Sequence, residues 1–449
     1  MSIEINSEFL TQLESYIENK NNKAIQELLN DIHYTDLADI LDDLYFEEAV
    51  YLIKLLDSDT TSDILTELDD DLREKVLDSL SAIEIAQEVE QLDSDDAADI
   101  IGDLPEERQE KVIAKIKDEE HAADIKELLA YQEDTAGGLM AKELVKVYET
   151  WTVAGCLRRI RSQAREVSRV HSVYVVDKQE RLVGRLSLKD LITAKIDQKI
   201  ADIYISNVTK VTADTDDEEV AKIMAKYDLE ALPVVDENDV LLGRITIDDI
   251  VDVLKEEADK DYQLAAGISQ DVEADDNIFQ LMKARLPWLV LGLVGGLCSV
   301  TILSNFQDVM NTMPSLFFYT PLVAAVAGNV GVQSSAIIVQ GLANDTVKGS
   351  LFLRLLKEVT LGLLNGVALS LIVIAFGHLM GQPLVESIAI SISMMTVIIV
   401  AALIGTFVPI LLEKKGIDPA IATGPFITTS NDIIGVYLFF MISKFIIGF

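Results

Sequence analysis

Asp432 is an acidic side chain inside an apolar run, Gly424-Pro-Phe-Ile-Thr-Thr-Ser-Asn-Asp-Ile-Ile-Gly-Val-Tyr-Leu-Phe-Phe-Met-Ile-Ser443. A carboxylate at a helix centre in hydrocarbon costs about 2.5 kcal/mol or more, so it is expected to face a water-filled path or a partner. At helical spacing Pro425, Thr428, Thr429, Asp432 and Gly435 form a narrow polar and small stripe, with Ile433, Ile434, Val436, Phe440 and Met441 elsewhere. Such a stripe suits a pore lining for a cation. The plain structural alternative makes Asp432 a helix cap or the partner of a lysine. It is disfavoured because no Lys or Arg lies at a matching depth in any other apolar segment.

A second set of carboxylates is crowded rather than isolated. Asp93, Asp95, Asp96 and Asp99 are denser than helix capping requires, and Asp248, Asp249, Asp252, Glu256, Glu257 and Asp259 follow one another along one predicted helix with only Lys255 to offset them. Like charges four residues apart, as in Asp248 with Asp252, destabilise an isolated helix by a few tenths of a kcal/mol each. A bound hard cation, which takes oxygen ligands, reverses that sign. These residues, with Asp214 and Asp216, are the candidate regulatory metal ligands. Solvated helix faces account for about half of the acids individually.

A third candidate site lies in a duplication at an offset of 59 residues: Val173-Tyr-Val-Val-Asp through Asp190-Leu191 matches Leu232-Pro-Val-Val-Asp through Asp249-Ile250. Each copy reads strand, acidic turn, strand, then a helix with Ser187 or Thr246 at its N-cap and Asp190 or Asp249 three residues later. The pattern resembles a tandem pair of cystathionine-beta-synthase (CBS) domains. By that resemblance Ser187 with Asp190, and Thr246 with Asp249, can hold the ribose and phosphate of an adenine nucleotide; the alternative is that they are capping boxes.

The elements that must position these groups fall into unlike halves. The chain has 449 residues and a net charge of -38. From Arg285 onward basic and acidic residues balance at seven each, so the negative charge sits in the first part. An acidic body of that size excludes nucleic acid, which needs clustered Lys and Arg, and favours cations. Residues 1–130 read as short amphipathic helices with a degenerate repeat, Leu37-Ala-Asp-Ile-Leu41, Thr61-Ser-Asp-Ile-Leu65, Ala97-Ala-Asp-Ile-Ile101 and Ala122-Ala-Asp-Ile-Lys126. Asp39, Asp63, Asp99 and Asp124 are expected near helix starts as caps, with the following Ile and Leu in the core. Cys156 and Cys298 lie in different domains, which makes a disulfide improbable. The N-terminal residues lack the basic and apolar regions of a signal peptide, so the acidic part is expected in the cytoplasm. The four histidines, His33, His121, His171 and His378, are scattered and no phosphate-binding loop or nucleophile motif accompanies them, which argues against an enzyme.

Five apolar segments, near 286–304, 317–339, 359–380, 387–412 and 424–447, are long enough to span a membrane. Lys283 and Arg285 precede the first, Lys348, Arg354 and Lys357 lie between the second and third, and Lys414 and Lys415 between the fourth and fifth. The other two loops hold no Lys or Arg. The acidic domains and basic loops therefore share the cytoplasmic side of the inner (plasma) membrane, and Phe449 is expected outside. Asn329 and Gln333 in the second segment either line a hydrated path or tie helices together.

The order of these strings along one chain resembles the MgtE family of bacterial magnesium channels. The strings that carry it are Thr135-Ala-Gly-Gly-Leu-Met140, the CBS pair, the acidic connecting helix, Ala327-Gly-Asn-Val-Gly-Val-Gln333 and Asp418 through Asp432. The resemblance implies a multidomain architecture: an α-helical superhelix over 1–130, an α/β tandem CBS pair over 131–250 (about 135–200 and 201–250), an acidic connecting plug helix over 251–284, and an all-α five-helix transmembrane domain over 285–449. It implies a homodimer in membrane lipid, carrying Mg2+ and other divalent cations, with Asp432 of each subunit meeting the ion, Asp418 nearer the cytoplasmic mouth, and Asn329, Gln333 and Thr428 along the path. ATP is the nucleotide expected at the CBS pair. Magnesium sheds water reluctantly, so two carboxylates facing a hydrated ion suit it. An ion-coupled divalent-cation carrier and a membrane-anchored CBS nucleotide sensor are the competing readings.

Overall fold

The computed structural model describes residues 7–164, 167, 169–270, 272, 276–344 and 346–448. They form two compact units, one ending at Leu254 and the other beginning at Lys255.

The first unit opens with α1 (Ser7–Glu18), α2 (Asn22–Leu29), α3 (Tyr34–Asp42), α4 (Phe46–Ile53), α5 (Ser58–Glu67), α6 (Asp70–Ser79), α7 (Ala82–Val89), α8 (Ser94–Gly102), α9 (Glu106–Ile113) and α10 (Glu119–Leu128). Each is too short to be stable alone and holds its shape by burying one apolar stripe. Ile40, Leu41, Ile64, Leu65, Ile100, Ile101 and Ile125 are all in the shared core, as the repeat predicts. The repeat aspartates are not caps. The N-cap positions are His33, Asp57, Asp93 and Asp118, and Asp39, Asp63, Asp99 and Asp124 each follow six residues later, in the body of the helix. Six residues is more than one helical turn, so these carboxylates lie well past the N–H groups they were expected to cap.

Two three-stranded sheets follow. In one, β1 (Val145–Tyr148) pairs parallel with β2 (Val173–Val176), which pairs antiparallel with β3 (Leu182–Leu186). In the other, β4 (Val211–Thr212), β5 (Ala231–Val235) and β6 (Leu241–Thr246) repeat that order. The helices of this region are α11 (Val153–Gln163), α12 (Leu188–Thr193), α13 (Asp217–Tyr227) and α14 (Ile247–Ala266). The duplication extends to atomic detail. Register shifts fall at Val175/Val176 and Val234/Val235, and the turn residues Glu180 and Asp239 both have positive φ. The copies are joined by reciprocal bonds, Leu182 N to Asp239 O at 2.8 Å and Leu241 N to Glu180 O at 3.1 Å.

The second unit contains α15 (Ile278–Asn305), α16 (Gln307–Thr312), α17 (Pro314–Ala343), α18 (Leu351–Leu379), α19 (Leu384–Glu413) and α20 (Gly424–Ile447). Five of these are long and apolar enough to cross a membrane. At 1.5 Å per residue they reach about 36–45 Å, enough for the hydrocarbon core. Every span except the last is longer than its apolar run. Arg354 and Lys357 therefore sit in the first turns of α18 rather than in a loop, and Lys283 and Arg285 lie inside α15. The 251–284 stretch is not one helix, because α14 starts at Ile247 and stops at Ala266, and α15 begins at Ile278. Between them, residues 271 and 273–275 are outside the described residues, as is Phe449, the residue expected outside the membrane. Cys156 and Cys298 are both free thiols.

Candidate functional site

Asp99 of the repeat, with its α8 neighbours Asp95 and Asp96, meets the start of α14 inside the first unit. Burial pushes the Asp96 and Asp99 carboxyls up to about 7; Asp249 crowds both, and Asp248 adds to the pressure on Asp96. Arg73 opposes the shift at Asp99. Asp249 is pushed up to about 6 by burial, held back by its hydrogen bonds from Thr246. Asp95, only 8% exposed, is raised by burial and then by Asp96, Asp249 and Asp93. Beside them, Glu67 is raised by burial and by Asp252, with Asp39 and Asp63 adding to it and His33 opposing. Glu67 of α5 thus faces Asp252, and the α8 carboxylates face Asp248 and Asp249. Glu67, Asp39 and Asp63 were not foreseen as members; the signal was the fixed position of Asp in each repeat, which puts successive copies on one face of a stacked array.

Among the described residues no three His, Cys, Asp or Glu side chains converge to hold a metal directly. The carboxylates are close enough to perturb one another without enclosing a bare ion.

Other expected ligands are placed elsewhere. Asp214 and Asp216 are exposed in the turn that opens α13, and none of the cluster shifts traces to them. Asp214 is held below the usual range by a hydrogen bond with Thr212. Glu257 is paired with Lys260 at 2.7 Å, so Lys255 is not the helix's sole offsetting charge. Glu256 and Asp259 are exposed on the same helix.

Arg244 and His121 fasten the helical array to the CBS pair. Arg244, 5% exposed, reaches Asp93 Oδ2 at 3.2 Å and donates from Nε to Glu143 O at 2.5 Å. His121 places Nδ1 3.6 Å from Glu143 Oε1 and Nε2 3.1 Å from Val89 O. Ser94 Oγ donates to Glu143 Oε2 at 2.7 Å. The hydrogen bond to Glu143 raises the His121 pKa against the effect of burial.

Of the nucleotide candidates, Thr246 Oγ1 and N both donate to Asp249 Oδ2, at 2.8 and 3.0 Å. That is half of a capping box, and it commits Asp249 to the acidic cluster's edge. Ser187 caps α12 by accepting from Lys189 N, with Asp190 in the first turn. A cavity of about 540 Å³ lined by Arg169, Val170, His171, Glu230 and Ile247 lies beside the second copy, within the size range of small-ligand sites.

In the second unit the expected stripe of α20 divides among several neighbours. A methyl added at Gly295 would lie 2.1 Å from Thr429 Cγ2, so Thr429 packs on α15. Gly435 faces Val397 and Ala327, and Pro425 faces Gly267. Thr428 turns its hydroxyl back to Gly424 O at 2.9 Å. Asp432 is half-buried, and Asn329 and Gln333 are exposed together on α17. They therefore do not tie helices within one chain. Asp418 spends one oxygen on Ala420 N at 2.7 Å, capping the turn before α20. A buried amide next to Asp432 was not foreseen. Asn431 is 1% exposed, donates to Ala327 O at 3.4 Å, and among the described residues its Oδ1 finds no partner. Only glycine fits opposite it, since a Cβ at Gly331 would lie 1.8 Å from Asn431 Nδ2.

Five membrane-length helices, one carrying a half-buried carboxylate, follow an acidic helical array and a CBS pair in one chain, which is the make-up of a multidomain cation transporter of the membrane. Family models agree along the chain: MgtE intracellular N domain at residues 32–134, CBS domain at 136–197 and 200–256, and the MgtE divalent cation transporter at 320–442. Magnesium transporter MgtE of Enterococcus faecalis is 38% identical over 321 residues, 71% of each chain. That of Thermus thermophilus is 36% identical over 326 residues, 72% of each chain. The crystal structure of the cytosolic domain of the Mg2+ channel MgtE in complex with ATP matches with a TM-score of 0.51 and 35% identity, covering 54% of this chain and 99% of that one. The chain belongs to the MgtE family of magnesium transporters.

Proposed function

We propose that this protein is a magnesium-selective channel of the inner membrane, homodimeric, whose conduction path passes Asp432 and which closes when cytosolic magnesium rises. The observation that carries the gating half is the gathering of Asp95, Asp96, Asp99 and Asp249, where desolvation first and neighbouring carboxylates second raise the pKa values, a cost of ionisation that a divalent cation relieves. Ionised and uncompensated, these carboxylates push α8 from the start of α14. With a cation between them they draw the two together, and α14 carries the change toward the membrane unit. Moving a gate from 1:99 to 99:1 takes about 5.5 kcal/mol, within reach of several weak sites acting together.

For conduction, the exposed Asn329 and Gln333 on α17 and the half-buried Asp432 on α20 supply oxygen and amide groups facing away from the single-chain core. A second subunit would complete the wall of the path. Asp418 serves as an outer attractor at the cytoplasmic mouth, and the C-terminus lies outside the cell. ATP modulates the gate at the CBS pair, a reading supported by the ATP complex of the related cytosolic domain and by the cavity beside Glu230 and Ile247. The test is magnesium uptake into proteoliposomes by wild type and Asp432→Ala, with manganese and calcium as competitors. Uptake lost while folding and dimerisation persist supports the path through Asp432. Full uptake by the variant refutes it, and uptake coupled to a proton gradient would favour a carrier.

A further inference from the structure

The polar side chains that α20 buries are Asn431 and Ser443. Ser443 is matched by Ser393, hydroxyl to hydroxyl at 2.9 Å, whereas Asn431 keeps an oxygen, Oδ1, that meets no partner among the described residues. Ile427, Asn431 and Gly435 stand four residues apart and make one ridge of α20. That ridge lies on α17. A Cβ at Gly331 would lie 1.8 Å from Asn431 Nδ2 and 2.7 Å from Ile427 Cγ2, and one at Gly435 would lie 3.5 Å from Ala327 Cβ. Gly331 is met from another helix as well, since a Cβ at Gly405 of α19 would lie 2.3 Å from Gly331 O. Three helices thus meet at one glycine. There Asn431 donates to Ala327 O at 3.4 Å, on the lone pair that a helix ladder leaves spare.

An amide is a costly choice for this place. Leucine has nearly the same shape and would fill the ridge with no polar atom to satisfy, whereas a buried oxygen without a donor is a standing penalty. What the amide adds is direction. Ridges of small and apolar residues let α20 turn or slide on α17, but Nδ2 meets its acceptor at one height and one rotation. A slip of one residue would carry it about 1.5 Å along the helix and about 100° round it. Fixing register at a cost in stability is the best attested use of a single buried amide. The residue whose place is fixed is the next one, Asp432, half-buried and about 100° round the helix from the α17 contact.

We infer that Asn431 is the positioning residue for Asp432: its amide keys α20 to α17 and so sets the depth and direction from which the carboxylate meets the ion. The inference rests on the reading of Asp432 as the conduction site, and it adds a residue that acts without touching the ion.

The test is initial magnesium uptake into proteoliposomes, followed against magnesium concentration, with thermal unfolding measured in detergent. The full-length wild type is compared with Asn431→Leu, Asn431→Ala and Asn431→Ala combined with Gly331→Ala. The half-maximal concentration does not depend on how much of the protein is folded. A residue that only packs would therefore lower the maximal rate and leave that concentration alone. Asn431→Leu keeps the shape and loses the donor, and should raise it about tenfold, the scale of one net hydrogen bond lost from the placing of the site, while unfolding no earlier than wild type. In the double variant the added methyl takes the space of the lost amide. It should recover part of the stability that Asn431→Ala loses and keep the raised half-maximal concentration, and this pair carries the test should Asn431→Leu fail to assemble. Half-maximal concentrations within about twofold of wild type in the Asn431 variants overturn the key. So does a return to the wild-type value in the double variant, which would make Asn431 a filler of space. In both cases loss of uptake by Asp432→Ala leaves the conduction site standing. Full uptake by Asp432→Ala overturns the conduction site and the key with it.

Discussion

Replacing Asp96 with Asn should tighten the first unit in the absence of magnesium. Its carboxyl pKa is pushed from 3.8 to about 7, by burial first and then by Asp249, Asp99, Asp93 and Asp248. At 1.36 kcal/mol per unit, a rise of roughly 3 units corresponds to at most ~4 kcal/mol working against the ionised cluster. The side chain is partly solvated and its carboxylate neighbours relax with it, which reduces the figure to about 1–2 kcal/mol. For an acid whose native pKa is raised, the packed state is least penalised below the unfolded value near 4, and the penalty grows until pH passes about 7. At pH 7.5 in magnesium-free buffer, Asp96→Asn should therefore favour the packed arrangement of α8 on α14 by about 5- to 30-fold. Hydrogen exchange of the α5 and α8 amides in the full-length protein reads this directly. The variant should exchange more slowly without magnesium, gain less protection when magnesium is added, and converge with wild type only as pH falls to about 4. Faster exchange in magnesium-free buffer, or a difference undiminished at about pH 4, would refute the idea that ionisation of Asp96 is what magnesium relieves.

His121 should make the attachment of the helical array pH-dependent in its own window. Its raised pKa contributes stability that is complete below its unfolded value, about 6.5, and is lost as pH rises through the higher native value. Burial pushes the Glu143 carboxyl up, but hydrogen bonds from His121 and Ser94 outweigh it and leave its pKa lowered. Its contribution is therefore present above about 4.3 and lost below. The melting temperature of His121→Gln should differ from wild type at pH 6 and approach it by pH 8.5. Thr246→Ala removes the Oγ1 bond to Asp249 and keeps the backbone N–H bond; it should fray the start of α14 at a cost of about 1 kcal/mol or less, seen as faster exchange there. Gly331→Ala should lower membrane-domain stability in detergent by about 1–3 kcal/mol because its methyl meets Asn431, and by less in an Asn431→Ala background.

Several layers of this architecture were legible in the residues. The 59-residue duplication specified two copies of one strand-and-helix pattern, down to matching register shifts, because alternation and turn chemistry are local. The five spans were legible because roughly twenty apolar residues in a row leave the backbone few other choices. The repeat aspartates were legible as a series but not as to role. Their position relative to a helix start depends on caps such as His33 and Asp57, which no periodicity marks.

Sequence alone determined which segments are apolar, which are acidic, where the chain repeats and that Asp432 stands apart in hydrocarbon. Only the tertiary structure decided which carboxylates share a space. It joined Glu67 to Asp252, Asp39 and Asp63, and Asp95, Asp96 and Asp99 to Asp249, while leaving Asp214 and Asp216 outside. It also set Gly267 on Pro425 and Asn431 opposite Gly331. Periodicity assigns a side chain to a face of its own helix, whereas the element opposite that face is chosen by packing between segments far apart in the chain.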